Sequence, residues 1–303
     1  MLLKKNINHK LWTDFISKTS QNNIYSHYLY LKNLKSKFNN FVLYEKELPL
    51  IGAILYDDDL GKIPTFYNSL FISNKIKSPH KLNQVCTEFI NQLLKYNNKI
   101  HIRLHSSVND IRSFQWHNYD LDTSKKFDIK VYYTSILNIQ NLNEKNILKT
   151  FNSSRSSLIK SALKNNFYSK ISNDIDLLND LNNKTFKRKR SKNEILMASE
   201  IANDAINEEY GTLIVTYDKF KNPFAASLFL HDEKNSYYSV GGSIPETRKN
   251  GSVSLNIYHQ ILNSIKLKKL FVDFVGINSP NRGYFKTSFG GETKIYFELK
   301  IKN

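Results

Sequence analysis

A few residues near the C-terminus have side chains suited to acid–base and charge-stabilising chemistry. Asp273 stands in Val272-Asp273-Phe274-Val275, so strand alternation turns its carboxylate away from its apolar neighbours. A carboxylate placed there could orient an attacking ammonium or take its proton, since partial burial raises a carboxyl's pKa. It could equally brace a neighbouring loop through backbone N–H groups. Tyr284 and Lys286 follow the loop Ile277–Gly283. Tyr284 could protonate or steady an anionic leaving group and Lys286 could contact phosphate, although a surface position is the commoner fate of a lysine. Tyr238, in Ser236-Tyr237-Tyr238-Ser239-Val240-Gly241-Gly242, is a second proton-donor candidate or else strand core. His231 ends an apolar run just before Asp232 and Glu233 and reads as a turn residue.

Other segments suit ligand binding. Arg248, Lys249, Asn250, Gly251 and Ser252 form a basic, glycine-containing turn ahead of a helix that starts near Ser252. Exposed N–H groups and the helix dipole favour phosphate at such a place; a solvated turn is the plain alternative. Arg155 lies in the serine-rich stretch 153–157, which suits an N-cap and would leave amide donors and a guanidinium for an anion. Near the N-terminus, His27, Tyr28, Tyr30 and Lys32 mix aromatic faces with a cation, while Tyr25, Tyr28, Leu29 and Lys32 also fit an amphipathic helix. Tyr67 and Asn68 are further contact candidates at a strand end. The densest cationic cluster, Lys187, Arg188, Lys189, Arg190 and Lys192, reads as a solvated or an anion-contacting loop. The 8 histidines show no metal-ligand spacing, no Gly-x-Ser-x-Gly elbow is present, and Cys86 falls on an apolar helix stripe, where packing explains it.

These residues need a scaffold, and the composition supplies one. With 303 residues, 40% of them hydrophobic, and with 19 Phe and 18 Tyr, the chain can build packed cores, and two domains fit the length. Only 10 Gly and 6 Pro exclude a collagen-like chain. One Cys excludes an internal disulfide, which fits a reducing compartment, and no apolar run is long enough for a membrane span; a cytoplasmic protein is expected. The net charge of +17 points to polyanionic partners, nucleic acid or phosphate-rich small molecules, although the heavy use of Asn, Lys and Ile also reflects composition bias.

The elements repeat. Residues 42–57 and 215–232 both begin Val-x-Tyr-acid-Lys, continue through a Pro and an apolar stretch with small residues, and end in an acidic turn; each predicts a two-stranded hairpin. In each half a further strand follows (63–72, 236–242), then an amphipathic helix, then a short apolar strand (100–104, 270–274). Between the halves, Leu158, Ile159, Ala162 and Leu163 predict an inward helix face, and 193–208 predicts another helix. The fold class is mixed α/β (α+β): two tandem units, 1–143 and 144–303, with helices on largely antiparallel sheets.

This order of elements resembles the GNAT acyltransferase fold, and its duplication resembles the FemABX-like double-GNAT branch. The carriers of the likeness are the Arg155 helix and the tail 270–292, with Phe285-Lys286-x-x-Phe289-Gly290. The resemblance implies transfer of an acyl group to an amine, in a cleft between the units, by direct attack in a ternary complex. It further implies acyl-CoA as co-substrate without a metal. Arg248-x-x-Gly251 matches the start of the family's pyrophosphate loop, with Val253 departing from its small final residue, and Lys286 would touch phosphate. The acceptor implied is a nucleotide-linked amino sugar, such as a dTDP-amino-dideoxyhexose destined for O-antigen or another surface polysaccharide, engaged through His27, Tyr28, Tyr30, Lys32, Tyr67, Asn68 and Arg155. The same branch implies an alternative, aminoacyl-tRNA-dependent transfer to a peptidoglycan precursor. A nucleic-acid-binding protein without chemistry is the third reading, and monomer and homodimer both stay open.

Overall fold

In the computed structural model, described for all residues except 35–36, 57–64, 187–190 and 303, the chain divides into two units. Unit 1 is Met1–Tyr132 with Ile295–Asn303; unit 2 is Tyr133–Lys294. This differs from 1–143 and 144–303: residues 133–143 fall in unit 2, and the last strand returns to unit 1.

Unit 1 begins with β1 (Leu2–Lys5), α1 (His9–Ser17), α2 (Tyr28–Leu31), β2 (Phe38–Glu45), β3 (Leu48–Tyr56), β4 (Ser69–Ile72), α3 (Pro79–Tyr96), β5 (Lys99–Arg103) and α4 (Arg112–Gln115). Strands β1 to β4 form one antiparallel sheet in chain order. Phe41, Leu43, Ile51 and Ala53 join Val85, Phe89 and Ile90 of α3 in one core, while Val42 and Ile54 join Trp12, Phe15 and Ile16 of α1 in another. The alternation is the two-residue strand period, and burial of both faces explains why 50–55 is almost wholly apolar. Helix α3 starts where Ser78 caps the amide of Lys81 and Pro79 takes the first turn. Cys86 is buried on its inner stripe. The helix predicted around 25–32 is shorter than its pattern: a 3-10 turn at Ile24–Ser26 precedes the single turn of α2.

Then β6 (Asp128–Asn138) leads into unit 2, which holds α5 (Ser153–Lys164), β7 (Tyr168–Ser172), α6 (Ile175–Phe186), α7 (Lys192–Asn207), β8 (Gly211–Tyr217), β9 (Pro223–His231), β10 (Asn235–Ser243), α8 (Ser252–Lys266), β11 (Phe271–Asp273) and α9 (Pro280–Thr287). Finally β12 (Glu292–Lys302) returns to unit 1 and pairs antiparallel with β5. Within unit 2 the strand order is β6-β11-β10-β9-β8-β7. The pair β10–β11 is parallel, with α8 as its crossover, and the remaining pairs are antiparallel. Both hairpins of the internal repeat are present, as β2–β3 and β8–β9.

The core of unit 2 packs Ile159 and Ala162 of α5 and Leu255, Tyr258 and Ile261 of α8 on Phe229 and Val272 of the sheet. Leu163, predicted inward, is 46% exposed, because the α5 stripe is only wide enough for Ile159 and Ala162. Residues 280–287, predicted as loop running into motif, form α9 instead, with Ser279 as N-cap and Pro280 in the first turn. Among the described residues no helix is long and apolar enough to cross a membrane.

Candidate active site where two strands part

Strands β10 and β11 pair at only three positions, ending with Tyr237 opposite Asp273. Beyond them β10 bulges between Tyr238 and Val240 and runs on to Ser243 along β9. Strand β11 stops, and Val275 (φ 39°) and Gly276 (φ 51°) turn the chain away through the left-handed region. The sheet therefore opens between two strands that remain parallel neighbours at their base.

Asp273 is 3% exposed, and its Oδ1 accepts from Thr134 Oγ1 at 2.5 Å and from the Val275 amide at 2.8 Å. The second bond fixes the left-handed turn. That turn presents the carbonyls of Val275 and Gly276 to Lys286 Nζ, which donates to both, to Gly276 at 3.2 Å. The ammonium also lies 5.1 Å from the centre of the Tyr238 ring, a cation–π distance. Burial pushes the Lys286 pKa down to about 8; Asp273 opposes the shift and Arg282 adds to it. A lysine that stays mostly protonated at pH 7 and gives up its proton about one unit higher is suited to stabilising a developing oxyanion or delivering a proton.

The other catalytic candidates sit differently. Tyr238 stacks on Phe229 at 5.3 Å, and burial pushes its phenol up to about 12, so it is a platform for Lys286 before it is a proton donor. Tyr284 is 69% exposed: the helical turn of α9 that carries Lys286 inward carries Tyr284 outward, contrary to its reading as a leaving-group partner. His231, read as a turn residue, is instead buried, with Nδ1 2.8 Å from Ser236 Oγ and Nε2 3.0 Å from Thr212 Oγ1.

Arg155 is 8% exposed rather than open to an anion. Its Nε donates to Ser288 Oγ at 2.8 Å and its Nη1 to Ser254 Oγ at 2.6 Å, and its guanidinium lies over Phe285 at 4.4 Å and Phe289 at 5.1 Å. Burial pulls its pKa down to about 10. It joins α5, α8 and α9, so the Phe-Lys-x-x-Phe-Gly motif has a physical meaning: two aromatic faces clamp the arginine while Lys286, between them in sequence, points into the opening. Gly290, at φ 81°, closes the motif against the Thr150 carbonyl.

The start of α8 is enclosed by its own unit. The 3-10 turn Pro245–Asn250 precedes it, and Asn250 Oδ1 accepts from the Ser252 amide at 2.9 Å. Gly251 has φ 84°, and a Cβ there would lie 2.3 Å from the Leu158 carbonyl of α5. Lys249 is exposed; the Arg248 side chain and the cluster at 187–190 fall outside the described residues. Ser252 is fully buried, and its Oγ has no hydrogen-bond partner among the described residues.

In unit 1, His27 Nε2 is 2.7 Å from Asn22 Oδ1, Tyr28 is 46% exposed against the His9 ring, Tyr30 is buried edge-on to Tyr25, and Lys32 is exposed. Of this set Tyr28 and Lys32 are exposed, His27 is half-buried and Tyr30 is buried. Tyr67 is buried edge-on to His105 and Tyr296. Asn68, read as a ligand contact, is a brace: it donates to the Ile54 carbonyl at 2.8 Å and accepts from the Arg103 amide at 2.7 Å. Thr134 and the Val275–Gly276 carbonyls are site components that sequence reasoning missed; a glycine two residues past a strand end was their one signal.

No family model and no curated protein matches the sequence. Solved structures do match. The chain is similar to the crystal structure of FemX, with TM-score 0.69 at 11% identity over 98% of this chain and 97% of that one. It is similar to a tandem GNAT protein from the clavulanic acid biosynthesis pathway, with TM-score 0.58 at 7% identity, covering 99% and 98%. It is also similar to a GNAT-family acetyltransferase from Colwellia psychrerythraea, with TM-score 0.55 at 8% identity over the whole of both chains. The chain thus has the tandem GNAT fold of the FemABX-like kind.

Proposed function

We propose that the protein is an N-acyltransferase in which an amine attacks an activated acyl carbonyl lodged where β10 and β11 part. The observation that carries this reading is Lys286, held by two backbone carbonyls against the Tyr238 ring. With its pKa near 8, it is mostly protonated at pH 7. As the C–N bond forms, negative charge gathers on the carbonyl oxygen, and the ammonium stabilises it in a partly dry site. The C–O or C–S bond to the carrier then breaks, and the amine's spare proton passes to the leaving group through water or Lys286. Asp273 holds the turn that aims Lys286. Cys86 offers no nucleophile, because burial pushes its thiol up to about 12.

For the carrier we propose an aminoacyl ester borne on RNA, with an amine of a nucleotide-linked precursor as acceptor. Its support is the charge of +17 and the enclosed start of α8, where Asn250, Arg155 and the Leu158 carbonyl already occupy the surroundings that a coenzyme A pyrophosphate needs. One observation favours a second reading, acyl-CoA with a nucleotide-linked amino sugar: the Ser252 Oγ, without a partner among the described residues, lies at that same helix start.

A two-carrier assay tests this. Protein is offered radiolabelled aminoacyl-tRNA in one arm and acyl-CoA in the other, each with a panel of nucleotide-linked amines. Label should move from tRNA to acceptor and should fail to do so in Lys286→Met. Thiol release from acyl-CoA alone would transfer the reading to the second carrier, and no amide product in either arm would end it.

A further inference from the structure

The outer face of the β5–β12 ribbon in unit 1 carries a ladder of ionisable side chains that the proposed chemistry does not use. In register, Arg103 stands opposite Glu298, His101 opposite Lys300, and Lys99 opposite Lys302. The first rung is an ion pair, with Arg103 Nε 2.6 Å from Glu298 Oε2. Lys300 Nζ reaches the other oxygen of the same carboxylate at 3.1 Å. Although burial would raise it, Glu298 is held below the usual carboxylate range by Arg103, Lys300 and His101. The last rung has no acid. Lys99 and Lys302 face each other with no carboxylate partner among the described residues, and like charges directly opposite across an antiparallel pair are destabilising.

These lysines line an open groove of about 620 Å³, together with Lys126, His101, Thr123 and Ser124. Ile100, Phe127 and Ile301 add apolar side chains to its lining. One acid, Asp128, is also in the lining, 3.7 Å from Lys130. Beside the groove, Tyr119 is 68% exposed, with Lys126 Nζ 5.4 Å from its ring centre.

We propose that this groove binds single-stranded RNA, with the lysines on successive phosphates and Tyr119 offering a face for base stacking. Lys300 and Lys302 are two strand residues apart, about 6.7 Å, a spacing comparable to that of phosphates along an extended strand. The lining holds repeated charge and hydroxyl donors, and its neighbouring exposed aromatic completes the combination that non-specific single-strand binders use. The inference deepens the RNA-borne carrier proposed above, and its test reads binding without acyl transfer.

Fluorescence anisotropy with a labelled mixed-sequence oligoribonucleotide of about a dozen nucleotides, over a salt series, provides that test. In the double variant Lys99→Gln, Lys302→Gln, Kd should rise about tenfold or more. The slope of log K against log salt should shrink by about 1.4, at about 0.7 per single-strand phosphate lost. Tyr119→Ala should weaken binding at least fivefold. Lys302→Glu, which turns the facing lysines into an opposite-charge pair, should weaken binding while keeping or raising Tm; this separates ligand contact from misfolding. Lys286→Met should abolish transfer and leave Kd unchanged, so failure of the chemistry and failure of the groove are read apart. The proposal is overturned by unchanged affinity and slope in the double variant, or by saturable binding of free nucleoside diphosphate or anionic vesicles where the oligonucleotide does not bind.

Discussion

At the scale of single residues, Lys286 and Asp273 divide the work between them. If Lys286 acts as an ammonium, the rate should rise as the attacking amine loses its proton and fall again as Lys286 loses its own. With the Lys286 pKa near 8, the free-enzyme profile of kcat/KM should show a descending alkaline limb near pH 8. Lys286→Arg, which cannot deprotonate there, should retain reduced activity and lose that limb. Asp273→Asn keeps an oxygen to accept from Thr134 and Val275 but removes the charge that supports the ammonium. It should therefore slide the alkaline limb toward lower pH by up to about one unit, with a plateau within about tenfold of wild type. A general base would instead show itself through loss of the acidic limb and most of the rate, so the pH profile of that one variant decides between base and brace.

At the scale of elements, the opening depends on helices held at close range. Arg155 bonds Ser254 on α8 and Ser288 beyond α9 with two nitrogens of one planar group. Lysine keeps the charge without the fork, so Arg155→Lys should lower kcat about 10- to 100-fold through misplaced Phe285 and Lys286, with KM much less changed and the alkaline limb moved as well. Close packing is equally demanding at Gly242 of β10, where a Cβ would lie 2.2 Å from the Asn182 amide of α6. Gly242→Ala should therefore cost about 3 kcal/mol or more, measured by urea unfolding. The two hairpins and the elements that follow them were legible in the sequence, whereas β1, α1, β6, β7, α6 and β12 were not read from it. Hairpins, α3, α5, α7 and α8 announce themselves through period-two and period-three-to-four apolar spacing. Helix α9 did not, because its eight residues show no apolar stripe beyond Phe285 and carry both Pro280 and Gly283. The site was half legible. Asp273 and Lys286 were singled out by type and neighbours, and the structure brings them to one turn, with Lys286 on its carbonyls rather than at the phosphate first read for it; Arg155 and Asn68 misled because polar side chains that bind ligands and those that brace a fold look alike until their partners are known.

At the scale of the whole molecule, several buried groups bias stability in one direction along the pH axis. His231 is 5% exposed, and burial, with Lys269 nearby, pushes its pKa down to about 3; His101 is pushed down to about 4 by burial and Lys300. Both are neutral in the folded chain at pH 6. Unfolded histidine titrates near 6.5, so as pH falls from there toward 3 or 4 the unfolded state takes up protons that the fold refuses. Each such histidine then removes stability at up to about 1.4 kcal/mol per pH unit. Lys286 acts at the other end. Its folded pKa near 8 lies below the ordinary value of 10.5, so its burial cost is full at pH 7 and is relieved as pH rises from 8 to 10.5. The net charge of +17 adds self-repulsion that also grows in acid. Urea-unfolding free energies at pH 5, 6, 7 and 9 should therefore climb throughout, the reverse of a protein most stable near pH 6. His231→Gln keeps a donor and an acceptor for Ser236 and Thr212 while removing the titration, so it should flatten the climb between pH 4 and 6 by about one proton. A slope identical to wild type there would show that His231 is already charged in the fold, and that its two hydroxyl partners bind imidazolium rather than imidazole.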